Sequence, residues 1–131
     1  TRCELAEALL GYGFPRSQLG EWVCLAESES SLVTNATHLN KNGTVTTSID
    51  YGIFQISNKF WCYPTAKGGC KIPCQSLLDD DISDDAGCAV HVYEETKKLK
   101  KSMGIGFSAW EGWKKRCRGK DLEFYLRGCK L

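Results

Sequence analysis

The chain reads as a single α+β domain over residues 1–131, and three observations carry that reading. Apolar residues recur at helical spacing before residue 30 and again after residue 83. Between them, residues 40–57 have the character of strands around an Asn42-Gly43 turn. Eight cysteines lie along the 131 residues, an even count that is high for the length. No repeat, low-complexity tract or linker divides the chain, which is long enough for one real core. The β portion is expected at about 37–80.

The first helix rests on Leu5, Ala6, Leu9 and Leu10, and Gly11, Gly13 and Pro15 stop it. Ser17 is the expected N-cap of the second helix. Leu19, Trp22, Val23 and Ala26 form its apolar stripe. Glu29 falls seven residues after Trp22 and three after Ala26, so it projects near Trp22's edge of that stripe, while Glu27 projects off the opposite edge. Val45 to Ser48 and Tyr51 to Ile56 are the expected strands, with Asp50 at the head of the second. Residues 62–78 read as loop carrying Cys62, Cys70 and Cys74. Ser83 to Leu99 is the third long helix, with Ala86, Ala89, Val90 and Tyr93 inward and Lys97, Lys98, Lys100 and Lys101 at its cationic end. A shorter helix is expected over about Phe107 to Arg116, and a turn or two over Asp121 to Leu126.

Composition excludes several function classes. The chain is 42% hydrophobic and 25% charged, ordinary for a globular protein. No apolar run approaches membrane-spanning length. A net charge of +1 gives no global bias toward nucleic acid or a membrane surface. The basic residues gathered between Lys97 and Arg127 read as a solvated helix face rather than a nucleic-acid interface. Thr1-Arg2-Cys3 reads as a mature terminus left by processing. The cysteines point to disulfides and an oxidising compartment. Cys70 and Cys74 have ligand spacing, but no second close pair and no nearby His completes a zinc set. The pairing stays open on spacing alone.

Two carboxylates carry the chemistry. Glu29 sits where an apolar stripe strips water from it, and Asp50 opens a segment of mixed polarity. Two acids in unlike environments hold different protonation states at one pH, which general acid catalysis on a glycosidic bond requires. Trp110 and Trp113, three apart on a helix, offer a wall that desolvates a carboxyl, although Trp22 and Trp113 read better as ordinary core packing. Phe60 and Trp61 are aromatics of the kind sugar rings stack on. Asp79, Asp80, Asp81, Asp84 and Asp85 form a second acidic group. They repel one another unless a hard cation such as Ca²⁺ neutralises them, or they serve as the acidic N-terminus of the helix from Ser83. His38 and His91 have no evident carboxylate or serine partner and read as structural or exposed. Asn35-Ala36-Thr37 and Asn42-Gly43-Thr44 are glycosylation sequons.

From end to end the chain resembles the c-type lysozyme/α-lactalbumin family. The matching pieces occur in family order. They are Arg2-Cys3-Glu4-Leu5, Trp22-Val23-Cys24, Glu29-Ser30, the run from Asp50-Tyr51-Gly52 to Ile56, Trp61-Cys62, Ala109-Trp110, Arg116-Cys117 and Arg127-Gly128-Cys129. The resemblance implies a helical lobe and a small antiparallel β-sheet lobe with a cleft between them. It implies the disulfides Cys3–Cys129, Cys24–Cys117, Cys62–Cys74 and Cys70–Cys88. It implies Glu29 as general acid and Asp50 as nucleophile or stabiliser in a retaining hydrolysis. Lysozyme is the standard instance of that division of labour, so the logic is taken over from the family.

The implied substrate is the β-1,4 aminosugar backbone of bacterial cell walls, with chitin oligomers as a poorer one, and Gln55, Ser57, Trp61, Ala109 and Trp110 match positions lining the sugar cleft. The resemblance further implies a secreted monomer with a structural Ca²⁺ held by the carboxylates of Asp79, Asp84 and Asp85 and the backbone carbonyls of Ser76 and Asp81. Three departures stand out. The hairpin over Thr44 to Ile49 is longer than usual, Ser57 replaces a common Asn, and Phe60 replaces a polar-tipped aromatic. A non-catalytic α-lactalbumin-like regulator or carbohydrate binder is the alternative. Such regulators have usually lost the acid pair, and here both acids stand.

Overall fold

A computed structural model describes residues 1–131. Helix α1 spans Arg2–Gly11 and opens with a capping box: the Glu4 amide donates to Thr1 Oγ1 at 3.0 Å and the Thr1 amine to Glu4 Oε1 at 3.1 Å. Helix α2 spans Leu19–Ser30 and buries Leu19, Trp22, Val23, Leu25 and Ala26. It is entered through a 3₁₀ turn, Arg16–Gln18, so Ser17 lies inside that turn and caps nothing. Pro15 explains the shift. Its extended backbone starts the turn, and the chain winds directly into α2.

The sheet has three antiparallel strands in the order β1 (Thr37–Asn42), β2 (Val45–Tyr51) and β3 (Ile56–Ser57). Strand β2 is continuous, so Asp50 lies near its end rather than at the head of a strand. Tyr51 to Ile56 is not a strand: it is interrupted by a turn over residues 52–55. Ile53, Phe54 and Ile56 are at most 4% exposed, and a buried turn produces the same apolar run as a buried strand. Gly52 permits the turn. Its φ is +80°, and any Cβ there meets the Leu77 carbonyl and the Asp85 carboxyl.

Helix α3 spans Ser83–Lys97, two residues short of expectation, and ends before a 3₁₀ turn at Lys100–Ser102. Its buried residues are Asp85, Ala86, Cys88, Ala89, Val92 and Thr96. That stripe leaves Val90 on the outer flank, 37% exposed, contrary to its expected inward place. The expected helix over 107–116 is two pieces, a 3₁₀ turn at Gly106–Ala109 and helix α4 at Glu111–Arg116. Trp110 is the extended joint between them, so Trp110 and Trp113 do not share a helix face. A last 3₁₀ turn covers Glu123–Leu126.

The core is one cluster centred on Trp22, whose ring meets Phe14, Phe54, Phe107 and Trp110 edge-on at 4.8 to 6.0 Å. All eight cysteines pair as the family resemblance implies, Cys3–Cys129, Cys24–Cys117, Cys62–Cys74 and Cys70–Cys88. Closing loops of 12 to 126 residues contributes about 3–5 kcal/mol each on the chain-entropy account. No helix is long and apolar enough to cross a membrane.

Candidate active site

Glu29 stands in the last turn of α2, half-buried. Its Oε2 accepts a hydrogen bond from the Gly112 amide, in the first turn of α4, at 2.8 Å. A Cβ at 112 would meet that same oxygen, so any larger residue there displaces the Glu29 carboxyl. Burial raises the Glu29 carboxyl above the ordinary range, the Gly112 bond partly offsets this, and the negative charge of Asp50 raises it further. The adjacent Ser30 hydroxyl donates to the Ala26 carbonyl at 3.0 Å and to the Ile53 carbonyl at 2.7 Å. It ties the end of α2 to the turn after β2, so both acids are carried by one braced unit. Sequence reasoning passed over Ser30 and Gly112, since neither has chemistry of its own.

Asp50 is also half-buried. Its Oδ2 accepts from Asn40 Nδ2 at 3.1 Å, and the same amide donates to Ser48 Oγ at 3.1 Å. Burial raises Asp50 too, while the Asn40 bond and the charge of His38 pull it down. The two acids therefore differ in kind. Each has a donor and a cationic neighbour, Asn40 and His38 at Asp50 and Gly112 and Arg116 at Glu29, but only Glu29 carries the added load of neighbouring anions, Asp50 and Glu111. His38 was read from sequence as partnerless. The register places it directly across β1 and β2 from Asp50, a pairing that depends on hairpin alignment rather than on local sequence.

The expected sugar-binding residues fall into different situations. Trp110 is 5% exposed and its indole N–H donates to the Phe54 carbonyl at 2.8 Å, which locks the ring between the helices and the β turn. Trp61 is half-buried and packs edge-on against Phe60 and His91 at 6.4 and 5.9 Å. Phe60 is 59% exposed, and Ala109 is exposed. Ser57 pairs with Asp50 across β2 and β3, and its hydroxyl accepts from the Lys59 amide at 3.1 Å. Gln55 behaves differently from a cleft donor. Its side-chain amide donates to the carbonyls of Ala36 and Gly52 at 3.1 and 2.9 Å, bracing the turn. A cavity of about 850 Å³ lies instead by the chain ends, near Arg16, Phe124, Arg127 and Leu131. It contains neither acid, so the carboxylates rather than cavity size locate the chemistry.

The second acidic group is only partly assembled. No three His, Cys, Asp or Glu side chains converge closely enough to cage a metal. Asp85 is 1% exposed, and neither carboxyl oxygen has a hydrogen-bond partner. Burial pushes it up to about 8, its own backbone N–H pulls the other way, and the charges of Asp79, Asp84 and Asp81 add to the rise. Asp80 accepts from the Thr34 hydroxyl at 2.6 Å, and Asp81 Oδ1 accepts from the Ser83 amide and hydroxyl at 3.1 and 2.7 Å. Those two side chains are occupied. Asp79, Asp84 and Asp85 have no such partner, and Ser76 lies in the 3₁₀ turn Cys74–Leu77.

Comparison with known proteins agrees along the whole chain. The C-type lysozyme/alpha-lactalbumin family model matches residues 1–129. Lysozyme c-1 of Anopheles gambiae is 47% identical over 122 residues, which are 92% of this chain and 78% of that protein. Lysozyme C-3 of Sus scrofa is 42% identical over 137 residues, 99% of this chain and 85% of that one. The crystal structure of a lysozyme from Litopenaeus vannamei superposes with a TM-score of 0.85 at 39% identity, covering 100% of this chain and 96% of that one. A helical body with a three-stranded sheet, bound by four disulfides and matched in sequence from its first residue to its last disulfide, belongs to the C-type lysozyme/alpha-lactalbumin family.

Proposed function

We propose that this chain is a muramidase that hydrolyses β-1,4 bonds of bacterial peptidoglycan with retention, with Glu29 as general acid and Asp50 as nucleophile or stabiliser. The observation that carries this reading is the anion each acid faces: burial lifts both carboxyls and each has one donor and one cation beside it, but the charges of Asp50 and Glu111 add to the load on Glu29, and no anion adds to that on Asp50. Lysozyme relatives at 40–47% identity support a glycoside hydrolase activity. Protonated Glu29 gives its proton to the leaving glycosidic oxygen as the C–O bond breaks. Asp50 attacks or electrostatically balances the oxocarbenium-like anomeric carbon. Glu29, now a carboxylate, takes a proton from water, which attacks that carbon and releases the sugar, so both acids return to their starting states. Trp61 and Phe60 offer faces for sugar stacking. Chitin oligomers, which share the β-1,4 aminosugar backbone, are the poorer substrate, and the working unit is a secreted monomer.

Clearing of a bacterial cell-wall suspension by wild type beside Glu29→Gln and Asp50→Asn tests this. Wild-type clearing with a folded but inactive Glu29→Gln supports it. An inert wild type across about pH 4–8 overturns it and leaves the α-lactalbumin-like binding reading.

We also propose that a Ca²⁺ ion binds at the start of α3, drawing together carboxylates that do not converge without it. Asp85 is the reason: a buried carboxylate without a partner is costly, and a hard cation taking oxygen ligands answers it. Asp79, Asp84 and Asp85 would hold the ion with side chains, and Ser76 and Asp81 with backbone carbonyls. The ion supplies charge neutralisation and stability, and no step of the hydrolysis.

A further inference from the structure

We propose that His38 is a positioning residue for the hydrolysis, its imidazolium serving as the electrostatic partner of the Asp50 carboxylate across strands β1 and β2. The proposal rests on Asp50 acting in the reaction as described above. Its basis is the register: Thr37 faces Tyr51, His38 faces Asp50 and Leu39 faces Ile49. Directly opposed residues in an antiparallel pair bring their Cβ atoms to about 4.5–5.5 Å on one face of the sheet, a distance at which opposite charges favour each other's ionised form.

The surroundings leave this pairing little competition. Strand β1 is the sheet edge, and β2 is its only strand neighbour. Of the titratable groups on β2, Asp50 lies on His38's face, and Tyr51 opposes Thr37 on the other. Strand β3 carries no titratable group. On β1 itself, Lys41 is three residues along, on the opposite face. Asp50 in turn acts on Glu29, whose carboxyl its negative charge raises. The charge of His38 and the Asn40 hydrogen bond both act on Asp50 against burial. They divide the task. Asn40 acts at every pH, whereas an imidazole acts only when protonated, which for this side-chain type means the acidic side of neutrality.

The consequence is confined to low pH. As the medium acidifies toward the point where Asp50 would take up a proton, the imidazolium holds the carboxylate ionised. The same cation opposes the positive charge that develops on the sugar, so near neutrality its loss costs the reaction nothing.

The test compares wild type, His38→Asn and His38→Lys by ¹³C NMR titration of the Asp50 carboxyl and by kcat/KM against pH. His38 is exposed, so the variants are expected to melt with wild type. The Asp50 midpoint and the acid limb should both rise by about half a pH unit in His38→Asn. His38→Lys should restore them, and high salt should narrow the difference. An unmoved Asp50 midpoint in His38→Asn overturns the proposal whatever the activity. So does a lysine variant that behaves like the asparagine one, because shape rather than charge would then matter. An Asp50→Asn protein with full activity defeats the assignment of Asp50 instead, and the NMR titration still decides whether His38 and Asp50 are coupled.

Discussion

Glu29 and Asp85 are both carboxyls that burial lifts above the ordinary range, and they differ in what the fold gives their oxygens. Glu29 receives one backbone N–H, from Gly112, and feels the negative charge of Asp50 and Glu111 against the positive charge of Arg116. Asp85 receives no hydrogen bond from any other residue and sits among three more aspartates. The difference teaches what each burial is for. Partial support leaves a carboxyl poised to exchange a proton, the state a general acid needs. Complete lack of support leaves a charge that only protonation or a cation can settle.

The largest test of that contrast removes the proton carrier. Glu29→Gln keeps the shape and the Gly112 bond, and cell-wall clearing should fall about 10²–10⁴-fold with an unchanged melting temperature. A fully active Glu29→Gln would place the acid elsewhere. Asp85 should answer to metal instead of substrate. Adding Ca²⁺ at 100–1,000 times its dissociation constant should stabilise the fold by about 3–4 kcal/mol, read as a rise of several degrees over chelator-treated protein. Asp85→Asn should raise the melting temperature in chelator and abolish the Ca²⁺ response, while clearing is retained. Equal melting with and without Ca²⁺ would leave the acidic group as a helix N-terminus and nothing more.

Smaller changes probe the support rather than the acid. Gly112→Ala drives a Cβ into Glu29 Oε2. It should cost about 1–3 kcal/mol of stability and lower kcat more than it raises KM, measured on a soluble chitin oligomer. The smallest effect is expected at Asp50. On the proposed assignment activity needs Glu29 protonated and Asp50 ionised, and burial raises both carboxyls, so both limbs of the pH–rate profile should lie above the ordinary carboxylate range. Removing the Asn40 donor with Asn40→Ala should move the acid limb upward by about half a unit to one unit and leave the alkaline limb nearly in place. A downward shift would mean that Asn40 favours the protonated form of Asp50.

Much of this was legible in the chain. The helices α1, α2 and α3 follow their apolar spacing, and the hairpin follows Asn42-Gly43. Beyond the Ser17 cap and the end of α3, local pattern misled in three places, each with a physical cause. Residues 52–55 imitate a strand because a buried turn is as apolar as one. Trp110 breaks a helical pattern because its indole is held by the Phe54 carbonyl, a partner 56 residues away. Val90 turns outward because the α3 stripe follows Ala89 and Val92. At the site, the two acids and the disulfide pairs were readable through family resemblance, and the residues that tune them were not.

By itself the sequence determined which side chains carry charge, where apolar stripes run and which family the motifs resemble, because those properties are local or are spelled in residue order. Tertiary structure alone decided that Gly112 donates to Glu29, that His38 faces Asp50, that Gln55 braces a turn and that Asp85 has no partner. Solvation and hydrogen bonding depend on which distant segments meet. An amide 83 residues away and an alignment across a hairpin leave no mark on the local pattern, yet they set the charge state on which the chemistry rests.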